Sequence, residues 1–135
     1  MLALGLDTSC YTTSAALCQS GMAPQQARQL LPVPAGERGL RQSEAVFAHV
    51  RQMPMVMDDL KEQLKGIDHE IVAVCASSSP RDEEDSYMPV FTVGLGHAEG
   101  DVAVSGCEVK GSIEGFDDGC DVCCQTVLCH QLVRR

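Results

Sequence analysis

The chain has 135 residues, a formal net charge of −9, and 44% apolar against 21% charged side chains. This length provides one domain with a modest core and is too short for a two-lobed enzyme. The acidic excess repels phosphate backbones, so we expect contact with RNA only through a partner, and no stretch is long and apolar enough for a membrane span. Because Met1 leads into an apolar run without a basic leader, the sequence predicts a cytoplasmic protein.

Two apolar runs at the start of the chain, residues 2–6 and 14–18, enclose a polar segment. This pattern predicts a buried strand, a tight turn and a returning strand. The turn offers a carboxylate, hydroxyls and backbone N–H groups, which suit an anionic ligand or its metal. Its polar side chains are Asp7, Thr8, Ser9, Thr12 and Thr13. An ordinary hairpin with polar turn residues fits the same local pattern.

Breaker residues dominate positions 19–39, where we expect loops around one short strand at residues 27–31. A helix follows, with Ser43 as its N-cap and Gly66 after its end. Pro54 should kink this helix or divide it.

One face of this helix carries apolar side chains at spacings of three and four, which predicts that it packs on a sheet. The face comprises Val46, Val50, Met53, Met57, Leu60 and Leu64, and the sheet residues that it should cover are Leu4, Leu6, Val72 and Val74.

The next apolar run, residues 71–76, is typical of a central strand buried on both faces. A loop at residues 77–81 leads into four acids at residues 82–85, which we interpret as a solvated charge run because adjacent like charges repel. Residues 88–95 are apolar again, and we expect a helix to begin at His97.

Several short motifs follow one another along residues 1–100. Residues 5–10 read Gly-Leu-Asp-Thr-Ser-Cys, residues 48–56 read Ala-His-Val-Arg-Gln-Met-Pro-Met-Val, and residues 93–99 read Val-Gly-Leu-Gly-His-Ala-Glu. In this order they resemble the TsaD (Gcp) glycoprotease-like family, whose bacterial members attach threonylcarbamoyl to adenosine in tRNA. The matching family motifs are Gly-Ile-Glu-Thr-Ser-Cys, His-Val-Arg-Lys-x-x-Pro-Leu-Ile and Val-Gly-Leu-Ser-Phe-Ala-Lys. Residues 30–33, 37–45 and 86–91 are similar to a clostridia-like paralogous branch.

The resemblance implies an α/β fold, the ribonuclease-H-like first lobe of an actin-like ATPase, with a mixed sheet and flanking helices. It implies that intact relatives use an ATP-derived adenylate, a divalent metal and tRNA. It also implies ligand contact for Asp7 as a metal-facing acid and for Ser9 and Thr12 as phosphate-facing hydroxyls. His49 falls on a family position that is not a ligand, so we expect a capped or surface histidine.

The chain departs from the family where its metal site would be. The family motif is His-x-Glu-Gly-His, and residues 112–116 here are Ser-Ile-Glu-Gly-Phe. A serine hydroxyl and a phenyl ring cannot replace two imidazoles, so we assign no metal site and no cofactor to this chain. The segment from His97 to Asp101 imitates the motif, but its alignment places it on the preceding helix. The second lobe of the family has no counterpart in this sequence.

Residues 101–135 form a separate cysteine-rich tail after a lobe at residues 1–100. Its composition changes abruptly, which favours a degenerate or frame-disrupted remnant. A zinc knuckle is the alternative, because thiolates and imidazoles are the ligands that zinc prefers. The candidate ligands are Cys120, Cys123, Cys124, Cys129 and His130.

The sequence therefore predicts a truncated TsaD-like protein that is inactive alone and related to the synthesis of N6-threonylcarbamoyladenosine in tRNA. The alternative is a non-catalytic scaffold like the family's TsaB partner, which would bind a full-length relative through a helical face. A protease is a third and weaker interpretation, since no catalytic triad can be assigned from sequence alone. We expect a TsaB-like or TsaD-like protein partner and contact with tRNA only through partners.

Overall fold

The computed structural model describes residues 2–19, 22–67, 70–81, 84–105 and 108–109. The elements are β1 (Leu2–Asp7), β2 (Thr12–Cys18), β3 (Gln25–Leu30), α1 (Gln42–Gln63), β4 (Ile71–Ala76), α2 (Phe91–Ser105) and β5 (Glu108–Val109). Within the described residues, five strands form one sheet in the order β3-β2-β1-β4-β5.

The sheet is mixed, as the family resemblance implies. β1 pairs antiparallel with β2, and β2 pairs antiparallel with β3. On its other side β1 pairs parallel with β4, which pairs parallel with β5. Every residue of β1 and β2 is buried, because these two strands lie in the interior of the sheet. Their short connection, residues 8–11, therefore lies at the edge where the parallel strands β1 and β4 end.

The core lies between α1 and the sheet. Met53, Val56 and Leu60 of the helix and its C-cap residue Leu64 belong to the same buried cluster as side chains of every strand from β1 to β4. The strand residues of this cluster are Leu2, Leu4, Leu6, Ala15, Leu17, Ala27, Val74 and Ala76. The predicted contact between helix and sheet is confirmed.

The predicted helix face is wrong at Val50, which is 50% exposed. The buried stripe of α1 also contains His49 and Gln52. At 100° per residue, these two polar positions move the centre of the stripe, and Val50 falls beyond its border. A second predicted contact residue, Val72, is exposed as well. Leu2 pairs with Ile71 and Ala3 with Ala73, so Val72 occupies a bulge without a partner on β1.

The boundaries of α1 correct the predicted N-cap and one of the two alternatives for Pro54. Its N-cap is Arg41 and not Ser43, and the backbone N–H of Arg41 donates to the Glu44 carboxylate at 3.1 Å. Pro54 does not divide the helix, which continues to Gln63. Gly66 follows the helix end with φ 80°, a conformation that glycine adopts without steric cost.

α2 begins at Phe91, earlier than the predicted start at His97. Thr8 connects this helix to the end of β1: its hydroxyl donates to the Val90 carbonyl at 2.7 Å and accepts from the Gly94 N–H at 3.1 Å. A side chain at position 94 would place its Cβ 3.1 Å from the Thr8 hydroxyl oxygen. Glycine therefore allows β1 and α2 to approach closely.

α2 continues to Ser105, across the predicted boundary at residue 100. The candidate zinc ligands and residues 112–116 lie outside the described residues, as do Asp82 and Glu83 of the acidic run. Among the helices that the structure describes, none has the length and apolar character needed to span a membrane.

Candidate functional site

The first candidate site surrounds the turn between β1 and β2. Asp7 is the last residue of β1, and its side chain is buried. Its Oδ1 accepts hydrogen bonds from the Ser9 backbone N–H at 2.9 Å and from the Ser77 hydroxyl at 2.7 Å. Thr12 is the buried first residue of β2, opposite Leu30 of β3. The fold thus brings Asp7 and Ser9 into contact and places Thr12 across the same turn.

Ser77 joins this site because it directly follows β4, the parallel neighbour of β1. The carboxyl ends of adjacent parallel strands meet at one edge, which is where open α/β sheets bind their ligands. In this chain the carboxylate oxygen Oδ1 of Asp7 already has two internal donors. The hydrogen bonds of Asp7 hold the turn against the end of β4. The contact of Asp7, Ser9 and Thr12 with a ligand stays a prediction.

The described side chains include no group of three or more His, Cys, Asp or Glu residues arranged to hold a metal. The motif-like segment after Gly96 lies on α2, where His97 and Glu99 are exposed. This exposure indicates that His97 and Glu99 lie on an ordinary solvated face of α2.

A second polar cluster lies between α1 and the sheet. His49 is fully buried, so the expectation of a capped or surface histidine is wrong. Its Nδ1 lies 2.8 Å from the Thr13 hydroxyl and its Nε2 lies 2.9 Å from the Cys10 carbonyl. The Thr13 hydroxyl also lies 2.9 Å from Oε1 of Gln52, whose Nε2 donates to the Leu30 carbonyl at 2.8 Å. Burial lowers the pKa of His49, against smaller raising effects of the Cys10 carbonyl and the Asp7 charge.

The outer face of α1 forms the third feature. Phe47 is 63% exposed and Met55 57% exposed, and the Arg51 guanidinium lies 5.8 Å from the centre of the Phe47 ring. These three side chains line one side of a groove of about 710 Å³, whose other side comes from β3 and the following loop. The residues on that other side are Gln29, Pro32, Pro34, Glu37 and Leu40. The sequence analysis did not identify this face, although Phe47, Arg51 and Met55 are spaced four residues apart, a spacing that places side chains on one side of a helix.

The cysteines of the described residues differ in exposure. Cys10 lies exposed in the turn after Ser9, whereas Cys75 is buried in β4. Burial, together with the nearby Cys18 thiol, raises the pKa of Cys75 to about 12. The Cys75 thiol is therefore protonated at neutral pH, and it donates to the Leu4 carbonyl at 3.4 Å.

No protein-family model matches the chain, and no curated protein matches it. Among solved structures, YeaZ from Pseudomonas aeruginosa matches with a TM-score of 0.59 and 16% identity. The match covers 84% of this chain and 43% of that chain. A structure described as an uncharacterised protein with similarity to peptidase YeaZ, from the same organism, matches with the same values. The match thus spans less than half the length of these two solved structures, and the chain has their actin-like ATPase fold.

Proposed function

We propose that the chain is a non-catalytic scaffold of the TsaB kind, which binds a TsaD-like protein in the synthesis of N6-threonylcarbamoyladenosine in tRNA. YeaZ is TsaB, so the fold likeness favours this alternative over a TsaD-derived lobe. In this proposal the chain acts in the cytoplasm and reaches tRNA only through its partner, because its net charge of −9 repels phosphates.

The exposed apolar face of α1 is the observation that carries the proposal. Phe47 and Met55 leave more than half of their surface exposed beside the groove, although α1 buries its opposite side in the core. Aromatic and methionine side chains are enriched in protein interfaces, where a few such anchors supply most of the binding energy. An arginine stacked on the aromatic ring adds a third residue type that is common in these positions.

The state of Asp7 supports the same conclusion. A carboxylate that coordinates a metal-bound nucleotide needs oxygen lone pairs directed at the ion. Oδ1 of Asp7 instead accepts hydrogen bonds from the Ser9 backbone N–H in the turn and from the Ser77 hydroxyl after β4, so internal donors occupy this oxygen. We therefore expect the main role of the β1–β2 turn to be structural.

The second candidate function is that of a TsaD-derived lobe that binds adenine nucleotide through Asp7, Ser9 and Thr12. It is favoured by the Gly-Leu-Asp-Thr-Ser-Cys motif and by the position of this motif at the carboxyl ends of β1 and β4. Such a lobe should bind nucleotide only with magnesium present.

Calorimetry with two ligands separates the candidates. The scaffold should bind a full-length TsaD-family protein and give no heat with magnesium ATP. Phe47→Glu should weaken partner binding by about 30-fold, the loss typical of an interface anchor. Tyr87→Glu is the matched control, since Tyr87 is 69% exposed and lies in the loop before α2. Magnesium-dependent nucleotide binding without partner binding would favour the second candidate.

A further inference from the structure

A continuous line of polar atoms crosses the buried interface between α1 and the sheet. It runs from the Cys10 carbonyl through His49, the Thr13 hydroxyl and Gln52 to the Leu30 carbonyl, with each successive contact between 2.8 and 2.9 Å. His49 and Thr13 are fully buried and Gln52 is nearly so. Water therefore has little access to this line, and the protein must supply its hydrogen-bond partners.

Both ends of the line fix where protons must be. The Cys10 carbonyl can only accept, so Nε2 of His49 carries a hydrogen. The Leu30 carbonyl can also only accept, so the amide nitrogen of Gln52 faces it and the amide oxygen faces Thr13. These two assignments leave only the central hydroxyl to be placed.

The centre of the line lacks one proton when His49 is neutral. In that state Nδ1 of His49 and Oε1 of Gln52 are both acceptors, and the Thr13 hydroxyl between them has a single hydrogen. One of the two contacts then has no hydrogen and brings two lone pairs together, which is unfavourable. When His49 gains a second proton, Nδ1 donates to Thr13 and Thr13 donates to Gln52, so every contact has its hydrogen.

We propose that His49 is a buried proton switch that decides which side chain of α1 accepts the hydrogen bond from the Thr13 hydroxyl. The acceptor is His49 when its ring is neutral and Gln52 when the ring is protonated. Protonation completes an unbroken series of hydrogen bonds from the β1–β2 turn through α1 to the end of β3. Gln52 also lines the groove beside Phe47. The switch therefore connects the candidate partner surface with the turn that carries Asp7 and Ser9.

The charges around the ring allow this switching. Burial has the largest effect and disfavours the protonated ring, whereas the Cys10 carbonyl and the Asp7 carboxylate on β1 favour it. β2 carries no charged residue, and Arg28 of β3 is exposed on the face opposite Ala27, which packs towards α1. On α2, His97 and Glu99 are exposed. Among the described side chains, the balance is thus set by burial, Asp7 and the hydrogen-bond line.

NMR of the isotopically labelled chain tests the switch. His49 is one of four histidines, and its ring signals are identified by their loss in His49→Gln. Replacing Gln52 by methionine removes the second acceptor beside Thr13. The neutral form of His49 then has no unfavourable lone-pair contact, so proton binding at His49 should weaken by about twofold to tenfold. Gln63→Met is the matched control, because Gln63 also lies on α1 and donates to a β3 carbonyl, Gln26, at 3.1 Å. This control should leave the titration of His49 unchanged.

A measurement on the unmodified chain supports the test if a variant fails to fold. At alkaline pH the ring nitrogen shifts should show the hydrogen on Nε2, and the side-chain carbonyl carbon of Gln52 should titrate with the same midpoint as His49. Unchanged or tighter proton binding in Gln52→Met would overturn the proposal. So would a hydrogen on Nδ1 in the neutral ring, or a Gln52 carbon that stays constant while His49 titrates.

Discussion

Replacing Leu60 by alanine should destabilise the chain far more than replacing Val50, although both lie on the helix face that the sequence predicts as buried. Leu60 is 1% exposed, so its alanine variant loses the transfer free energy of the removed carbons, about 2 kcal/mol, and leaves a cavity. The total loss in the free energy of unfolding should be about 2–4 kcal/mol. Val50 is half exposed, and the better helix propensity of alanine, about 0.5 kcal/mol, offsets the small loss of contact.

Urea denaturation followed by circular dichroism measures the two variants side by side. With a slope of about 1–3 kcal/mol per molar urea, a loss of that size should lower the midpoint of Leu60→Ala by about 0.7–4 M. The midpoint of Val50→Ala should stay within about 0.5 M of the parent value, since surface changes shift stability by about 0.5 kcal/mol at most. Equal losses in the two variants would refute the orientation of α1 described above.

Three further predictions concern single positions. Burial lowers the pKa of His49 below its ordinary value of 6.5, so the unfolded chain binds the proton more tightly than the folded chain. The free energy of unfolding should therefore fall as the pH drops below 6.5, and His49→Gln should remove this contribution from the pH dependence of denaturation midpoints. Gly94→Ala should lower the free energy of unfolding by about 1–3 kcal/mol, because the new Cβ contacts the Thr8 hydroxyl, which two hydrogen bonds hold in place. Gly96→Ala has open space around its Cβ and should instead stabilise α2 by up to about 1 kcal/mol in the same assay. Iodoacetamide should label Cys10 in the native chain and spare Cys75 until the chain is unfolded, as peptide mapping would show; rapid native labelling of Cys75 would contradict its burial.

The strands and the long helix were predictable because their signals are local. Continuous apolar runs predicted β1, β2 and β4, and apolar spacing of three and four predicted α1. The start of α2 was predicted too late, since its first residues are mostly apolar or glycine and show no helical period. Residues 88–95 could equally have continued as a strand.

The candidate site was predictable only in part. The contact of Asp7 with Ser9 follows from their adjacency in a tight turn. The contact of Asp7 with Ser77 joins positions 70 residues apart, and it depends on the parallel pairing of β1 with β4. Sequence reasoning cannot supply that pairing from either segment alone.

The buried polar line shows a different limit. A polar residue on a helix is assigned to solvent by default, since burial of a polar group is costly unless it is hydrogen-bonded. His49 and Gln52 are exceptions because β2 provides a hydroxyl, the β1–β2 turn provides the Cys10 carbonyl and the end of β3 provides the Leu30 carbonyl. The predicted face assigned His49 to a capped or surface position and did not include Gln52, and it therefore lay too far towards Val50.

The central claim is that α1 presents a partner-binding face and that the β1–β2 turn serves the fold. Amide NMR shifts of the labelled chain, recorded with a full-length TsaD-family protein and separately with magnesium ATP, test it most directly. We expect the protein to shift signals around Phe47 and Met55 and the nucleotide to shift none. Nucleotide-induced shifts at Asp7, Ser9 and Thr12, with α1 unaffected by the protein, would contradict the account.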